Sequence, residues 1–185
     1  MRVIGGDHRG RRLTAVVGDN VRPTSDRVRE AMFDILFSLG GVDGLQVLDL
    51  FAGTGALGIE ALSRGASSVT FVENDRRTAQ TVRANLAAVG LTDAESSGDA
   101  TVVVADAESW VHSTQARYDL AFCDPPYGFS GWAKLLDHLP SDVAVLESGA
   151  QLEMPEDWEV LRSKRYGTTI VTVARSERAD RKGVS

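Results

Sequence analysis

Two stretches of this chain bring together residue types that chemistry can use. The first is Asp124-Pro125-Pro126-Tyr127, which ends the apolar run Leu120-Ala121-Phe122-Cys123. The second is Asp49-Leu50-Phe51-Ala52-Gly53-Thr54-Gly55-Ala56-Leu57-Gly58, in which Gly53, Gly55 and Gly58 match G-x-G-x-x-G. Such glycines suit a tight strand-to-helix turn whose backbone a ligand must approach closely. Glu73 follows Gly53 by 20 residues, at the end of the next apolar run, where a carboxylate can accept hydrogen bonds from ribose hydroxyls. A tight turn with no ligand is the bland alternative, and the pairing of loop with acid argues against it.

Glycine spacing by itself also fits a dinucleotide-binding dehydrogenase. Asp49 opposes that reading, because a carboxylate just before the loop is poorly placed beside a pyrophosphate, whereas it suits a ligand amine or an intervening water. The Asp-Pro-Pro-Tyr stretch opposes it too. Paired prolines fix their own φ and restrict the residues before them, so the turn aims a side chain and a carbonyl at one spot. An exocyclic amine on a nucleic-acid base is a poor nucleophile, its lone pair being delocalised into the ring. Two acceptors, the Asp124 carboxylate and the Pro125 carbonyl, can bind its two hydrogens and favour a pyramidal nitrogen whose lone pair points at a methyl donor. Tyr127 offers a face on which an extruded base can stack. Positioning of this kind supplies much of a reaction rate. The bland reading of the same residues is a proline-rich loop with an Asx-turn.

The elements that must position these stretches can be read from periodicity. Residues 1–21 alternate short apolar stretches with glycine and arginine, which predicts a β-hairpin or arm. Thr24 or Ser25 is the candidate N-cap of an amphipathic helix over 25–39, with Val28, Met32, Ile35, Leu36 and Leu39 at helical spacing and Gly40-Gly41 at its end. Strands are expected at 45–50, 68–72, 101–105, 120–123 and 143–147, and helices at 56–64, 75–89, from 106 through Trp110, and 132–139. A polar loop is expected over 91–100. Residues 158–165 and 169–175, separated by Tyr166-Gly167, predict a closing antiparallel hairpin. Repeated β-α units imply an α/β fold with a mostly parallel sheet covered on both faces. Ligands of such sheets sit at the carboxyl ends of the strands, so Asp124 lies beside the glycine loop if the first and fourth strands are neighbours.

Length and charge set the wider bounds. The chain has 185 residues, 43% of them hydrophobic, which is enough for one domain with a short appendage and no disulfide or metal staple. Cys123 is the single cysteine, so no intramolecular disulfide forms, and a buried core thiol is favoured over a nucleophile. His8, His112 and His138 share no metal-ligand spacing, and no metal site is expected. The N-terminus lacks the apolar core of a signal peptide and no apolar run reaches membrane-spanning length, so a soluble cytoplasmic protein is expected. The formal charge is −6, yet residues 1–30 hold seven arginines against four acids. Of the 20 basic residues 17 are arginine, which suits bidentate phosphate contacts better than lysine does. Trp110, Trp132 and Trp158 read as packing residues, and Arg76-Arg77 as a solvated helix start.

With these residues in view the chain resembles a known family. Asp49–Gly55 resembles methyltransferase motif I, Glu73 the acidic motif II and Asp124–Tyr127 the motif IV of amino-nitrogen methyltransferases. Arg2-Val3-Ile4-Gly5-Gly6, Arg9-Gly10-Arg11 and Arg22-Pro23-Thr24-Ser25-Asp26-Arg27-Val28-Arg29-Glu30 narrow the resemblance to the RsmD family of bacterial 16S ribosomal RNA (guanine-N2)-methyltransferases, over residues 1 to 175. The resemblance implies a seven-stranded Rossmann-like methyltransferase sheet with a small N-terminal extension. It implies S-adenosyl-L-methionine as donor, S-adenosyl-L-homocysteine as product, and a guanine of 16S rRNA within the small subunit or its assembly intermediate as substrate. Asp49, Phe51, Ala52, Gly53, Thr54, Gly55, Leu57, Glu73, Asn74, Asp106 and Ala107 become the candidate donor contacts, with Asp106 at the adenine amino group. Asp124, Pro125, Pro126 and Tyr127 are the candidate catalytic residues, Tyr127 as a stacking platform, since other members carry phenylalanine there. Arg2, His8, Arg9, Arg11, Arg12, Arg22, Thr24, Arg27 and Arg29 are the candidate RNA contacts. The expected organisation is an RNA-contacting arm and helix over 1–40, a methyltransferase domain over 41–175 and a polar tail over 176–185, acting as a monomer. DNA or other RNA amino-methyltransferases share Asp-Pro-Pro-Tyr but usually need a target-recognition region. Protein glutamine methyltransferases typically carry Asn at its first position. A non-catalytic assembly factor would not need the intact Asp124 and glycine loop.

Overall fold

The apolar runs form the centre of a seven-stranded sheet because they can be buried on both faces. In the computed structural model, which describes residues 1–15, 25–91 and 99–178, the strands are β1 (Gln46–Leu50), β2 (Ser68–Glu73), β3 (Ala100–Val104), β4 (Tyr118–Cys123), β5 (Ser141–Ser148), β6 (Trp158–Tyr166) and β7 (Thr169–Ser176). Their order is β3-β2-β1-β4-β5-β7-β6. β1 pairs in parallel with β2 and β4, with Leu50 opposite Val72 on one side and Cys123 on the other. Chain order therefore reverses between β1 and β4, and the Asp49–Gly58 turn and Asp124 emerge there side by side. β5 extends the parallel part, and β7 inserts antiparallel between β5 and β6.

Among the described residues five helices cover the faces: α1 (Asp26–Ser38), α2 (Ala56–Ser63), α3 (Arg76–Val89), α4 (Ala107–Ser113) and α5 (Trp132–His138). Ser25 is the N-cap of α1, its Oγ accepting from Val28 N–H at 3.3 Å. α1 closes as a Schellman turn, with Gly41 N–H donating to Leu36 O at 2.9 Å and Gly40 N–H to Phe37 O at 3.2 Å. Its apolar face (Val28, Met32, Phe33, Leu36) joins the core formed by α2, α3 and one side of the sheet, and α4 and α5 close the other side. Trp158 is buried and donates from Nε1 to Leu136 O, which makes it a packing residue. Among the described residues no helix is long and apolar enough to cross a membrane.

The arm is a minimal hairpin: one antiparallel bridge joins Arg2 and Arg12, with Val3 N–H to Arg11 O and Gly10 N–H to Val3 O closing the turn between. It is also part of the main core, because Val3 and Leu13 are buried in the same core as α1 and α2. One expectation of the fold changes. Ser176, expected to open the polar tail, is the buried last residue of β7, and Arg178 beyond it pairs with Asp137 and Asp157. Of the sequence expectations, Arg22, Thr24, the end of the arm, the interior of the 91–100 loop and the last seven residues lie outside the described residues.

Candidate donor and acceptor site

The three glycines of the loop answer three different demands. A Cβ on Gly53, which has φ 57°, would meet only Phe51 O at 3.8 Å, so that side of the turn is open to a ligand. A Cβ on Gly58 would sit 2.3 Å from Phe71 and 2.8 Å from Val69, so α2 packs this tightly on β2 only without one. At Gly55 the left-handed φ of 75° and the nearness of Val82 both exclude a side chain. The turn is then held by buried acids. Glu73 accepts from Gly53 N–H through Oε2 and from Asp75 N–H through Oε1, both at 2.9 Å. Asp49, 1% exposed, accepts from Gly58 N–H at 2.9 Å. Asp49 thus lies under the loop and supports the first turn of α2.

The electrostatics of this corner are one-sided. Burial raises the Asp49 carboxyl well above its ordinary range; the Gly58 hydrogen bond opposes this, and the Asp124 and Glu73 carboxylates raise it further. Three carboxylates thus converge at the ends of β1, β2 and β4. Such a field disfavours a pyrophosphate and favours a cation. Cys123, between Asp49 and Asp124, is buried, and its thiol is pushed up by burial first and then by those two carboxylates, so it remains an inert core residue.

Asp124 and Pro125 are half-buried, Pro126 is exposed, and Tyr127 is 98% exposed with its ring beside Gly149. Phe51 holds φ 57°, the one non-glycine positive φ among the described residues. Its ring meets Phe129 edge-on at 5.3 Å, and Phe129 meets Trp132 likewise at 5.3 Å. The glycine loop and the segment after Tyr127 therefore touch through aromatic edges. Asp106 is the N-cap of α4, its Oδ1 accepting from Ser109 N–H at 2.9 Å and Ser109 Oγ at 2.7 Å, which lowers its pKa. Ala107 is buried behind it, Asn74 is exposed beyond Glu73, and Ala52, Thr54 and Leu57 are buried in the loop and the start of α2.

The arm and α1 divide their arginines between surface and core. Arg2, Arg9, Arg11, Arg12 and Arg27 are exposed, His8 is half-buried, and Arg2, Arg9 and Arg27 line a cavity of about 280 Å³ between arm and α1. Arg29 corrects the expectation. It is fully buried, donates to Arg2 O and Asp26 Oδ1, and lies 3.7 Å from Glu60 Oε2, so it cannot reach RNA. Glu60 is the residue that sequence reasoning missed here. Fully buried on α2, it accepts from Ile4 N–H and Gly5 N–H at 2.8 Å each and from Arg64 Nε at 2.8 Å. Ser63 adds Oγ bonds from His8 N–H and to Gly5 O. An acid and a serine inside the otherwise apolar ALGIEALS helix were the available signal, since buried polar groups need partners. Among the described residues no group of three or more His, Cys, Asp or Glu could hold a metal; His112 and His138, 26 positions apart in sequence, do stack edge-to-face at 3.7 Å.

Comparison with known proteins adds the following. The sequence model of the family described as conserved hypothetical protein 95 matches residues 1–175. The Bacillus subtilis protein YlbH is 38% identical over 186 residues, covering 94% of this chain and 97% of that one. Ribosomal RNA small subunit methyltransferase D of Escherichia coli K12 is 34% identical over 177 residues, covering 90% and 85%. The solved structure of yhhF from Escherichia coli superimposes with a TM-score of 0.81 at 34% identity, covering 96% of this chain and 98% of the other.

Proposed function

The chain belongs to the RsmD family, matched as conserved hypothetical protein 95, and from that premise we propose that it is an rRNA methyltransferase which methylates the exocyclic N2 of one guanine in 16S rRNA, within the small subunit or its assembly intermediate. The observation that carries this reading is the meeting of an open glycine turn, three carboxylates and a proline-locked Asp-Pro-Pro-Tyr at the ends of β1, β2 and β4. S-adenosylmethionine is the donor. It supplies an electrophilic methyl on a cationic sulfur, which the carboxylates suit.

Within that reading each residue has a task. Glu73 keeps acceptor capacity beyond its two backbone bonds and takes the ribose hydroxyls. Asp106, whose Oδ1 is committed to Ser109, turns its other oxygen to the adenine amino group, flanked by Asn74 and Ala107. Phe51, Ala52, Gly53, Thr54, Gly55 and Leu57 form the wall of the donor pocket, and Asp49 supports it from below. Asp124 and the Pro125 carbonyl bind the two amine hydrogens and aim the nitrogen lone pair at the methyl. With the donor bound, the N–C bond would form as the C–S bond breaks, its electrons staying on sulfur, and the nitrogen would give up one hydrogen as a proton to solvent water. Tyr127, with an open face, stacks the extruded base. Residues 1–40 present Arg2, His8, Arg9, Arg11, Arg12 and Arg27 to the RNA backbone, and 41–175 carry the chemistry in a cytoplasmic monomer.

The test is methyl transfer from labelled donor to small subunits purified from cells lacking the modification, with the product mapped by mass spectrometry. One N2-methylguanine in 16S rRNA is expected. Label on adenine N6, on cytosine N4, on DNA or nowhere would overturn the assignment.

A further inference from the structure

The hydrogen bonds of Asn85 join two segments that the proposed reaction needs together. Asn85 lies on α3 within the apolar stripe Ala79, Val82, Leu86, Val89, and is fully buried. Its Oδ1 accepts from Thr14 N–H of the arm at 2.7 Å. Its Nδ2 donates to Thr14 O at 3.0 Å and to Thr54 O of the glycine loop at 2.9 Å. Reversing the amide would set an oxygen against two carbonyls, so only this orientation makes all three bonds. The arm meets the loop a second time where Thr54 Oγ1 donates to Met1 Sδ at 4.0 Å.

The position of Thr54 makes these contacts more than packing. It stands between Gly53 and Gly55, at φ 57° and 75°, so its peptide is the part of the turn with least conformational restraint of its own. Asn85 sets the direction of its carbonyl. A ligand lying on the open side of the turn restricts the same peptide and so holds the Asn85 amide, and that amide holds both backbone groups of Thr14. The converse follows by reciprocity.

We propose that Asn85 is a positioning residue coupling the arm to the methyl-donor loop, so that donor binding steadies the arm at Leu13 and Thr14 and seating of the arm on rRNA tightens the donor. This rests on the donor-loop and arm assignments made above. It is tested without RNA, by amide hydrogen exchange at Leu13 and Thr14 with and without saturating S-adenosylhomocysteine. In the wild-type protein the ligand slows exchange there by about fivefold or more. In Asn85→Ser, with ligand binding verified by calorimetry and folding by circular dichroism, exchange at these amides is the same with and without ligand. A purely structural Asn85 would raise arm exchange in the variant but leave its response to ligand intact, and that result overturns the coupling. So does a wild-type arm that ignores bound ligand, a measurement that stands even if the variant does not fold. Failure of the wild-type protein to bind S-adenosylhomocysteine at all would remove the donor assignment itself, and the coupling with it.

Discussion

The glycine loop and the Asp-Pro-Pro-Tyr segment leave neighbouring strands at the same edge of the sheet, yet they reach a fixed shape by opposite means. The loop has a glycine-rich backbone, with positive φ at Phe51, Gly53 and Gly55, and is held from outside by side chains: Glu73 on Gly53 N–H, Asp49 on Gly58 N–H and Asn85 on Thr54 O. The segment is fixed from inside by two proline rings and needs few such partners. Its last residue, Tyr127, lies almost fully in solvent. The donor side therefore depends on ionisable, buried groups whose loss alters binding and stability. The acceptor side depends on covalent geometry, and its loss alters chemistry with little effect on the fold.

Asp124→Ala should show the largest effect. Turnover under single-turnover conditions is expected to fall on the order of a thousandfold, as when an organising polar group is removed from a transition state. S-adenosylhomocysteine affinity by calorimetry should stay within about threefold, because the donor is held by the other region. If affinity collapsed together with turnover, the separation of the two sides would fail. Glu73→Gln is the complement. It should weaken donor affinity by about ten- to a hundredfold, the value of a hydrogen bond to a charged group, with turnover at saturating donor almost unchanged. A loss confined to saturated turnover would place Glu73 on the wrong side of the comparison.

The two regions also differ in how far they can be read from sequence, and for a physical reason. The strand–glycine–helix turn and the proline segment are local. Their spacing, the apolar runs before them and the Gly-x-Gly pattern lie within a few residues, whereas the adjacency of β1 and β4 was a condition that only the strand order of the fold meets. The supports of the loop are not local. Asn85 reaches 71 residues back to Thr14, and Glu60 reaches 56 back to Ile4. Neither residue type announces a partner, and only their place on an apolar helix face marks them as groups that must find one. Arg29 shows the reverse failure. Set among surface arginines in sequence, it lies on the buried face of α1, one residue after Val28 and three before Met32. Helical phase was the better guide there than composition. The bond from Gly58 N–H to Asp49 was likewise illegible, since the sequence marks an acid at the strand end but not the backbone group it accepts from.

Tyr127 gives a smaller effect that sharpens the acceptor side. Tyr127→Ala should lower kcat/KM about tenfold, within the range of a single base–aromatic stack. Tyr127→Phe should stay within about twofold, since a stacking platform uses the ring and not the hydroxyl. Neither change should move the melting temperature, because the ring is 98% exposed. A Tyr127→Phe defect as large as that of Tyr127→Ala would give the hydroxyl a role and end the reading of this residue as a platform.

The smallest expected effect tests what sets the donor side apart, its dependence on a buried charge. The Asp49 carboxyl is raised in the folded protein, by burial first, while in the unfolded chain it titrates near its ordinary value of 3.8. The native state therefore keeps this proton longer than the unfolded state. Its contribution to stability is fully present below the unfolded value and declines as pH rises toward the folded one. Asp49→Asn keeps an oxygen to accept from Gly58 N–H and carries no charge to bury. Measured by urea denaturation, the variant should gain on the wild-type protein steadily as pH is raised from about 4. Its donor affinity should move the other way, and selectively: the cationic S-adenosylmethionine should lose more than the S-adenosylhomocysteine that lacks the sulfonium, because only the former gains from the carboxylate field. A stability difference that is flat with pH, or an equal loss for both ligands, would mean that Asp49 acts through its hydrogen bond alone. The glycine loop would then be held, like the proline segment, by geometry and not by charge.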